Sequence, residues 1–216
     1  TSSFSGTQVQ ATVPASQITS PGVATIRVRN QTGQESNAVS LTIGSPPVLN
    51  TISPTLVTTG SGAFTLTATG TNFTATSPGA TIVFNGTSLL TTSFSATQVQ
   101  ATVPGNLITS PGAAAIRVRN QNQQQSNTAD LAIATPPVLT SLTPQSAIAG
   151  SPALTLTLNG ANFDEGMQVL WNGTPVQSVT NQGDQSVATI AASLLATAGT
   201  ATVQVRLSNG LISQTL

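Results

Sequence analysis

The chain has 216 residues, five Arg, no Lys, no Cys, five acidic residues and no net charge. That length holds one large β domain or two to three small ones, with Val, Ile, Leu and Ala for the cores and Thr, Ser, Gln and Asn for the surface. A chain with no basic stripe and no long apolar run excludes nucleic-acid binding and direct membrane insertion as expected roles, and the lack of Cys excludes disulfides and thiolate metal sites.

Taken from the first residue, the chain repeats itself. Thr7-Gln8-Val9-Gln10-Ala11-Thr12-Val13-Pro14 returns letter for letter at Thr97 to Pro104, and Ile26-Arg27-Val28-Arg29-Asn30-Gln31 returns at Ile116 to Gln121. Pro46-Pro47-Val48-Leu49 returns at Pro136 to Leu139, and Gly70-Thr71-Asn72-Phe73 returns as Gly160-Ala161-Asn162-Phe163. The offset is 90 up to that Phe and 87 after it, where Phe84-Asn85-Gly86-Thr87 matches Trp171-Asn172-Gly173-Thr174. Such a period is too long for a solenoid unit and fits a small domain that folds on its own. The register divides the chain into 1–44, matching the back half of a copy, a complete copy at 45–135, and a nearly complete copy at 136–216. Leu216 corresponds to Ala129, so the third copy is expected to lack the end of its last strand.

Within a copy the apolar period is two. Phe64, Leu66 and Ala68 alternate with Thr; Ala114, Ile116 and Val118 alternate with Ala115, Arg117 and Arg119; Leu131 and Ile133 flank Ala132. Alternation of this kind gives a strand one buried and one wet face, and Thr and Val favour it. Ser77-Pro78-Gly79, Asn85-Gly86 and Pro111-Gly112 mark turns between short strands. About seven strands in about ninety residues predict a two-sheet sandwich. Short helical turns are expected around Asn106–Thr109, after Pro104, and around Ala192–Ala196.

These motifs together carry a family resemblance. Pro-Pro-Val-Leu, Gly-x-Asn-Phe, Phe/Trp-Asn-Gly, Ala-Thr-Val-Pro and Ser-Asn-x-x-x-Leu-x-Ile resemble the IPT/TIG modules of immunoglobulin-like, plexin and transcription-factor proteins. The closest likeness is to those strung together in large bacterial surface and secreted proteins. The resemblance implies an all-β fold of tandem immunoglobulin-like (E-set) β-sandwich modules and an extracellular or cell-surface location. The chain departs from the receptor versions in having no Cys, and from the transcription-factor versions in having no basic DNA-reading loop.

A search for chemistry finds little. With no His, Cys, Lys or Tyr, the Ser and Thr hydroxyls have no activating base, so no catalytic residue, no cofactor and no metal site is expected. The carboxylates are Glu35, Asp130, Asp164, Glu165 and Asp184, spread over different copies. Adjacent Asp164 and Glu165 read as a solvated loop tip, with a calcium contact as the alternative. Trp171 stands at the Phe84 position and reads as a core aromatic, with a sugar-stacking platform as the alternative. Arg27, Arg29, Arg117, Arg119 and Arg206 read as one outward strand face that pairs with polar or acidic neighbours such as Asp130. They are also the candidate contacts with a neighbouring module or chain. Asn30, Asn72, Asn85 and Asn172 begin N-glycosylation acceptor patterns, of which the two Asn-Gly copies read as hairpin turns.

The expected function is a non-catalytic stalk, spacer, adhesive repeat or surface-layer component. Stiff Pro-Pro linkers at 46–47 and 136–137 suit that role. The alternatives are a self-assembling extracellular filament built by strand or half-module complementation, and an accessory domain of a secreted carbohydrate-active enzyme. The partners implied are neighbouring modules, copies of the chain itself, or a cell-surface or glycan contact.

Overall fold

The computed structural model describes residues 2–176, 178–181 and 183–216. Among them the fold is all-β, with three short 3-10 turns as its only helical pieces. The first copy contributes β1 (Ser3–Phe4), β2 (Val9–Gln10), β3 (Gly22–Ile26) and β4 (Val39–Ile43), which form two separate antiparallel pairs. Ile26 pairs with Val39 and Gly22 with Ile43.

The middle copy contributes β5 (Val48–Ser53), β6 (Leu56–Thr58), β7 (Phe64–Thr71), β8 (Thr81–Phe84), β9 (Thr87–Ser88), β10 (Leu90–Phe94), β11 (Gln98–Val103), β12 (Gly112–Arg119) and β13 (Ala129–Ala134). They form the two sheets of a sandwich, in the orders β10-β11-β7-β5 and β6-β13-β12-β8-β9. The expected alternation holds strand by strand. Leu66 and Ala68 on β7, Ala114, Ile116 and Val118 on β12, and Leu131 on β13 have no exposed surface, while their odd-step neighbours face outward. β6 and β9 raise the strand number above the expected seven. At two or three residues they are too short to show a period, and β6 exists only because β13 pairs with it in parallel.

The third copy contributes β14 (Val138–Thr143), β15 (Leu154–Ala161), β16 (Gln168–Trp171), β17 (Thr174–Pro175), β18 (Ser178–Asn181), β19 (Gln185–Ile190) and β20 (Val203–Arg206). Its sheets run β14-β15-β19-β18 and β17-β16-β20. Leu139, Leu156, Leu158, Val169, Ile190 and Val205 form the centre of its core. Burying side chains of this size contributes about 2 kcal/mol each, which is what sets these short strands against the entropy of ordering them.

The 3-10 turns fall at Ala15–Gln17, Gly105–Leu107 and Ala192–Leu195. The second lies a residue ahead of its expected place because Pro104, extended at φ −62 in the first copy's equivalent Pro14 and −67 here, starts the turn at once. Proline fixes this φ before the first two turns, and Ala191 takes the same extended conformation, φ −65, before the third.

Candidate functional site

The most elaborated local geometry sits where each Pro-Pro segment enters its module. Gly70 lies so close to β5 that a Cβ there would stand 1.9 Å from the Val48 carbonyl oxygen and 2.6 Å from Phe73 Cζ. Gly160 repeats this, with 2.0 Å to the Val138 oxygen and 2.4 Å to Phe163 Cζ. Only glycine admits that approach of ring and strand. Two residues on, Asn72 and Asn162 take the left-handed backbone, φ 61 and 60, a conformation Asn tolerates better than most side chains. Each then donates from Nδ2 to a linker carbonyl, Pro46 or Pro136, at 3.1 Å. The Gly-x-Asn-Phe motif is thus a clamp on the incoming chain.

A second fastening comes from the far end of the same module. Asn127 Oδ1 accepts from the Leu49 N–H and its Nδ2 donates to the Leu49 carbonyl, both at 2.9 Å. In the third module Gln214 Nε2 donates to the Leu139 carbonyl at 2.6 Å. The preceding serine is bonded in every copy and buried in the second and third. Val118, Val205 and Val28 donate their N–H groups to Ser126, Ser213 and Ser36 at 2.9, 3.0 and 3.0 Å. The Ser-Asn motif was visible as a repeat, but its partner lies 78 residues away, which no local pattern reveals. Asn127, Gln214 and the clamp role of Asn72 and Asn162 are the functional residues that sequence reasoning missed. Their recurrence at the module offset was the available signal.

The arginines do not form one strand face. Arg117 and Arg119 lie on β12 and Arg206 ends β20, but β3 stops at Ile26, so Arg27 and Arg29 lie beyond it. There the chain pairs only through an isolated bridge between Arg29 and Glu35. Asp130 is not the partner of Arg117, which donates from Nε to the Thr128 hydroxyl at 2.8 Å. Arg119 donates to the Ser88 hydroxyl, Arg206 to Gln168 Oε1, Arg27 to the Ser36 carbonyl and Arg29 to the Gly33 carbonyl. Neutral oxygens hold all five, on loops for Arg27, Arg29 and Arg117 and on the neighbouring strands β9 and β16 for Arg119 and Arg206.

Among the described residues no three of His, Cys, Asp and Glu come together as a metal site. Asp164 is no loose loop tip. It is partly buried, and its Oδ2 accepts from both the N–H and the hydroxyl of Ser208, at 2.9 and 2.6 Å. Glu165 beside it is exposed. Asp184 uses its backbone, its carbonyl accepting the Gly160 N–H at 2.9 Å. Asn85 and Asn172 make the expected turns. Asn85 and Gly86 both have positive φ, as do Asn172 and Gly173, the combination a two-residue hairpin requires. Their Oδ1 atoms accept from Ala115 and Thr202 N–H groups at 2.8 and 2.7 Å.

Trp171 departs from its expected role. Phe84 is 2% exposed, whereas Trp171 is only partly buried, packs against the core from its edge and lines an open cleft. No helix among the described residues is long and apolar enough to cross a membrane.

No curated protein matches the chain in sequence. Among solved structures, the plexin A4 full extracellular region is 16% identical over 78% of this chain and 17% of that one, with a TM-score of 0.34. The SGBP-B protein of the Bacteroides ovatus mixed-linkage glucan utilization locus, solved with a mixed-linkage heptasaccharide, is 17% identical over 89% of this chain and 49% of that one, TM-score 0.34. The chain thus spans less than a fifth of the plexin and about half of the glucan-locus protein. The model of the IPT/TIG domain, a family of non-enzymatic immunoglobulin-like domains, matches residues 47–133 and again residues 137–216. With two successive matches of one model covering most of its length, and with the entry clamp built the same way in both, the chain belongs to the IPT/TIG family as a tandem of its domains.

Proposed function

We propose that the chain is a non-catalytic structural spacer, part of the stalk or surface layer of an extracellular protein. The observation that carries this reading is the entry clamp. Asn72 and Asn127 fasten the segment from Pro46 to Leu49 to its module, and Asn162 and Gln214 do the same for Pro136 to Leu139. Side chains spent on gripping a linker serve a chain whose task is to transmit position or load. Proline limits the linker itself. The uncharged Thr, Ser, Gln and Asn exterior and the lack of Cys and Lys suit an exported protein whose fold rests on packing alone. The cation positions, Arg27, Arg29, Arg117, Arg119 and Arg206, are where we place contacts with a neighbouring module or another copy.

Stretching single molecules of the chain tests the reading. Two unfolding events are expected, each releasing roughly 300 Å, the reach of about ninety residues at some 3.4 Å each. Asn72→Ala combined with Asn127→Ala should lower the force of one event and leave the other unchanged. Hydrolysis of, or saturable binding to, oligosaccharides on a glycan array would transfer the chain to the accessory-domain reading.

A second reading, assembly by half-module complementation, has its own support. Val9, Ile18, Ile26 and Leu41 are 44–46% exposed, whereas their equivalents Val99, Ile108, Ile116 and Leu131 are fully buried beneath the front half of the middle module. A front half of the same kind, from this chain or from another, is the cover this face fits. Supplied by another chain, it would join copies head to tail. Sedimentation of the chain over a wide concentration range tests this, with concentration-dependent oligomers for it and a monomer throughout against it.

A further inference from the structure

At the end of β12 the middle module carries a polar pocket of about 320 Å³, lined by Pro78, Gly79, Thr81, Arg119, Gln121 and Gln123. Its frame is fixed by hydrogen bonds. Buried Asn120, which also lines it, accepts the Thr74 N–H at Oδ1, at 2.9 Å, and donates from Nδ2 to the Asn72 carbonyl at 2.7 Å. The loop that supplies Pro78 and Gly79 is closed on itself. The Gly79 N–H donates to the Thr76 carbonyl at 2.6 Å and the Ala80 N–H to the Thr74 carbonyl at 2.9 Å. Gly79 is pressed against the Phe94 ring, where a Cβ would stand 2.4 Å from Cγ, and this contact holds the loop in place.

The side chains that line the pocket leave one kind of chemistry open. No carboxylate is among them. A guanidinium holds several N–H donors in one plane. Arg119 gives one to the Ser88 hydroxyl and, among the described residues, none to another protein acceptor. Gln121 Nε2 donates to the Thr76 carbonyl at 2.7 Å, and Gln123 Nε2 to the Gln121 carbonyl at 3.2 Å. Both amides are thus oriented through their nitrogens, and among the described residues their side-chain oxygens accept no hydrogen bond. The pocket sets an unneutralised cation beside two open acceptors. Gln123 also carries a backbone cost. Its φ is 68, in the left-handed region where a side chain of this kind is uncommon. At the same turn the other two copies have glycine, Gly33 at φ 85 and Gly210 at φ 90. A side chain kept where glycine would relieve the strain points to a use for that side chain. The third module does not repeat the set. Its loop after Phe163 is three residues shorter, and Leu207, Ser208 and Gly210 stand at the places of Asn120, Gln121 and Gln123.

We propose that this pocket binds a small polyhydroxylated acid through its carboxylate. Arg119 takes the carboxylate, the planar anion that a guanidinium fits best, and the oxygens of Gln121 and Gln123 accept hydroxyl groups of the same molecule. Free sugar acids and the uronic acid residues of an acidic polysaccharide share this chemistry. A free acid in the pocket leaves the spacer reading as it stands. An acidic polysaccharide held there would support the site and move the chain to the accessory-domain reading.

Amide NMR shifts of the isotope-labelled 216-residue chain test the proposal. Sodium gluconate and a galacturonate trisaccharide are titrated separately, with sodium acetate and glucose as controls. Saturable shifts at Gly79, Thr81, Arg119, Gln121 and Gln123 are expected with at least one of the two acids, and the tighter of them identifies the source. Acetate, which lacks the hydroxyls, and glucose, which lacks the carboxylate, should each bind roughly tenfold more weakly or less. Arg119→Gln should weaken the acid by roughly tenfold or more, since it removes a charge-assisted bond. Arg117→Gln removes the same charge from the same strand outside the pocket and should change the affinity by less than about twofold. Gln123→Gly should weaken binding by roughly threefold or more and raise the melting temperature of the middle module by a few degrees, a pairing that a purely structural role for Gln123 does not produce. No saturable shift with either acid, acetate held as tightly as the acids, equal losses in the two arginine variants, or unchanged binding in Gln123→Gly would overturn the proposal. So would shifts at these residues that grow with the concentration of the chain alone, since a carboxylate of another copy would then fill the pocket.

Discussion

Gly70 and Gly160 show how much of this fold turns on single atoms. Both are followed by the Asn-Phe pair, and both sit where strand, linker and ring converge. A methyl group on Gly70 would meet the backbone oxygen of Val48, which has no rotamer with which to escape. Gly70→Ala should therefore cost about 3 kcal/mol or more and lower the melting temperature of the middle module by on the order of 10 °C, read by denaturant and thermal unfolding. Gly62, around which a Cβ would find open space, is the control, and its alanine variant should change stability by less than about 1 kcal/mol. Asn127 and Gln214 offer a graded comparison. Asn127→Ala strips both backbone groups of buried Leu49 of their side-chain partner, at a cost of about 2 kcal/mol, while Gln214→Ala removes a single bond to the equally buried Leu139 and should cost about half as much. Equal losses at the two sites would mean that the bonds to Leu49 do not set the difference.

At the scale of elements, the Asn-Gly hairpins join turn chemistry to sheet pairing. Each Asn holds a positive φ and also accepts a hydrogen bond from the neighbouring strand. Gly86→Ala should lose about 1–2 kcal/mol from backbone strain alone, seen as a lower unfolding midpoint with an unchanged denaturant slope. A changed slope would mean a reorganised sheet. These turns and the long alternating strands β7, β12, β15 and β19 were legible in the sequence, since turn residues and period-two runs are local signals. β6 and β9 were not, because a strand of two or three residues takes its identity from its partner. The same holds for Trp171. Its position in the repeat matched buried Phe84, but its exposure is set by what packs over it from elsewhere in the module, which a repeat position does not reveal. The arginines were legible as outward-facing and illegible in their partners, since Thr128, Ser88 and Gln168 became neighbours only through the register of the sheets.

For the whole molecule, the way its arginines are held has a measurable consequence. All five arginines are held by neutral oxygens, so screening by salt has little to weaken. Melting temperatures at low and at molar sodium chloride should agree within a few degrees. A steep fall with salt would show that ion pairs carry more of the stability than packing does. The three copies should also differ from one another although their sequences are close. Ile116 and Leu131 are fully buried, while Ile26 and Leu41, in the same register on β3 and β4, are each 44% exposed. A two-stranded pair with one open face is marginal by itself, and amide protection follows local opening. In the 216-residue chain, hydrogen exchange of β3 and β4 should therefore be complete while β12 retains protection factors larger by roughly three orders of magnitude or more. The third module should fall between them, slowest at β15 and fastest around residues 146–149 beside the open cleft. Protection of β3 equal to that of β12 would mean that another copy covers the first module's apolar face in solution. Diluting the chain separates the two cases, because protection borrowed from a second copy falls on dilution and protection intrinsic to the fold does not.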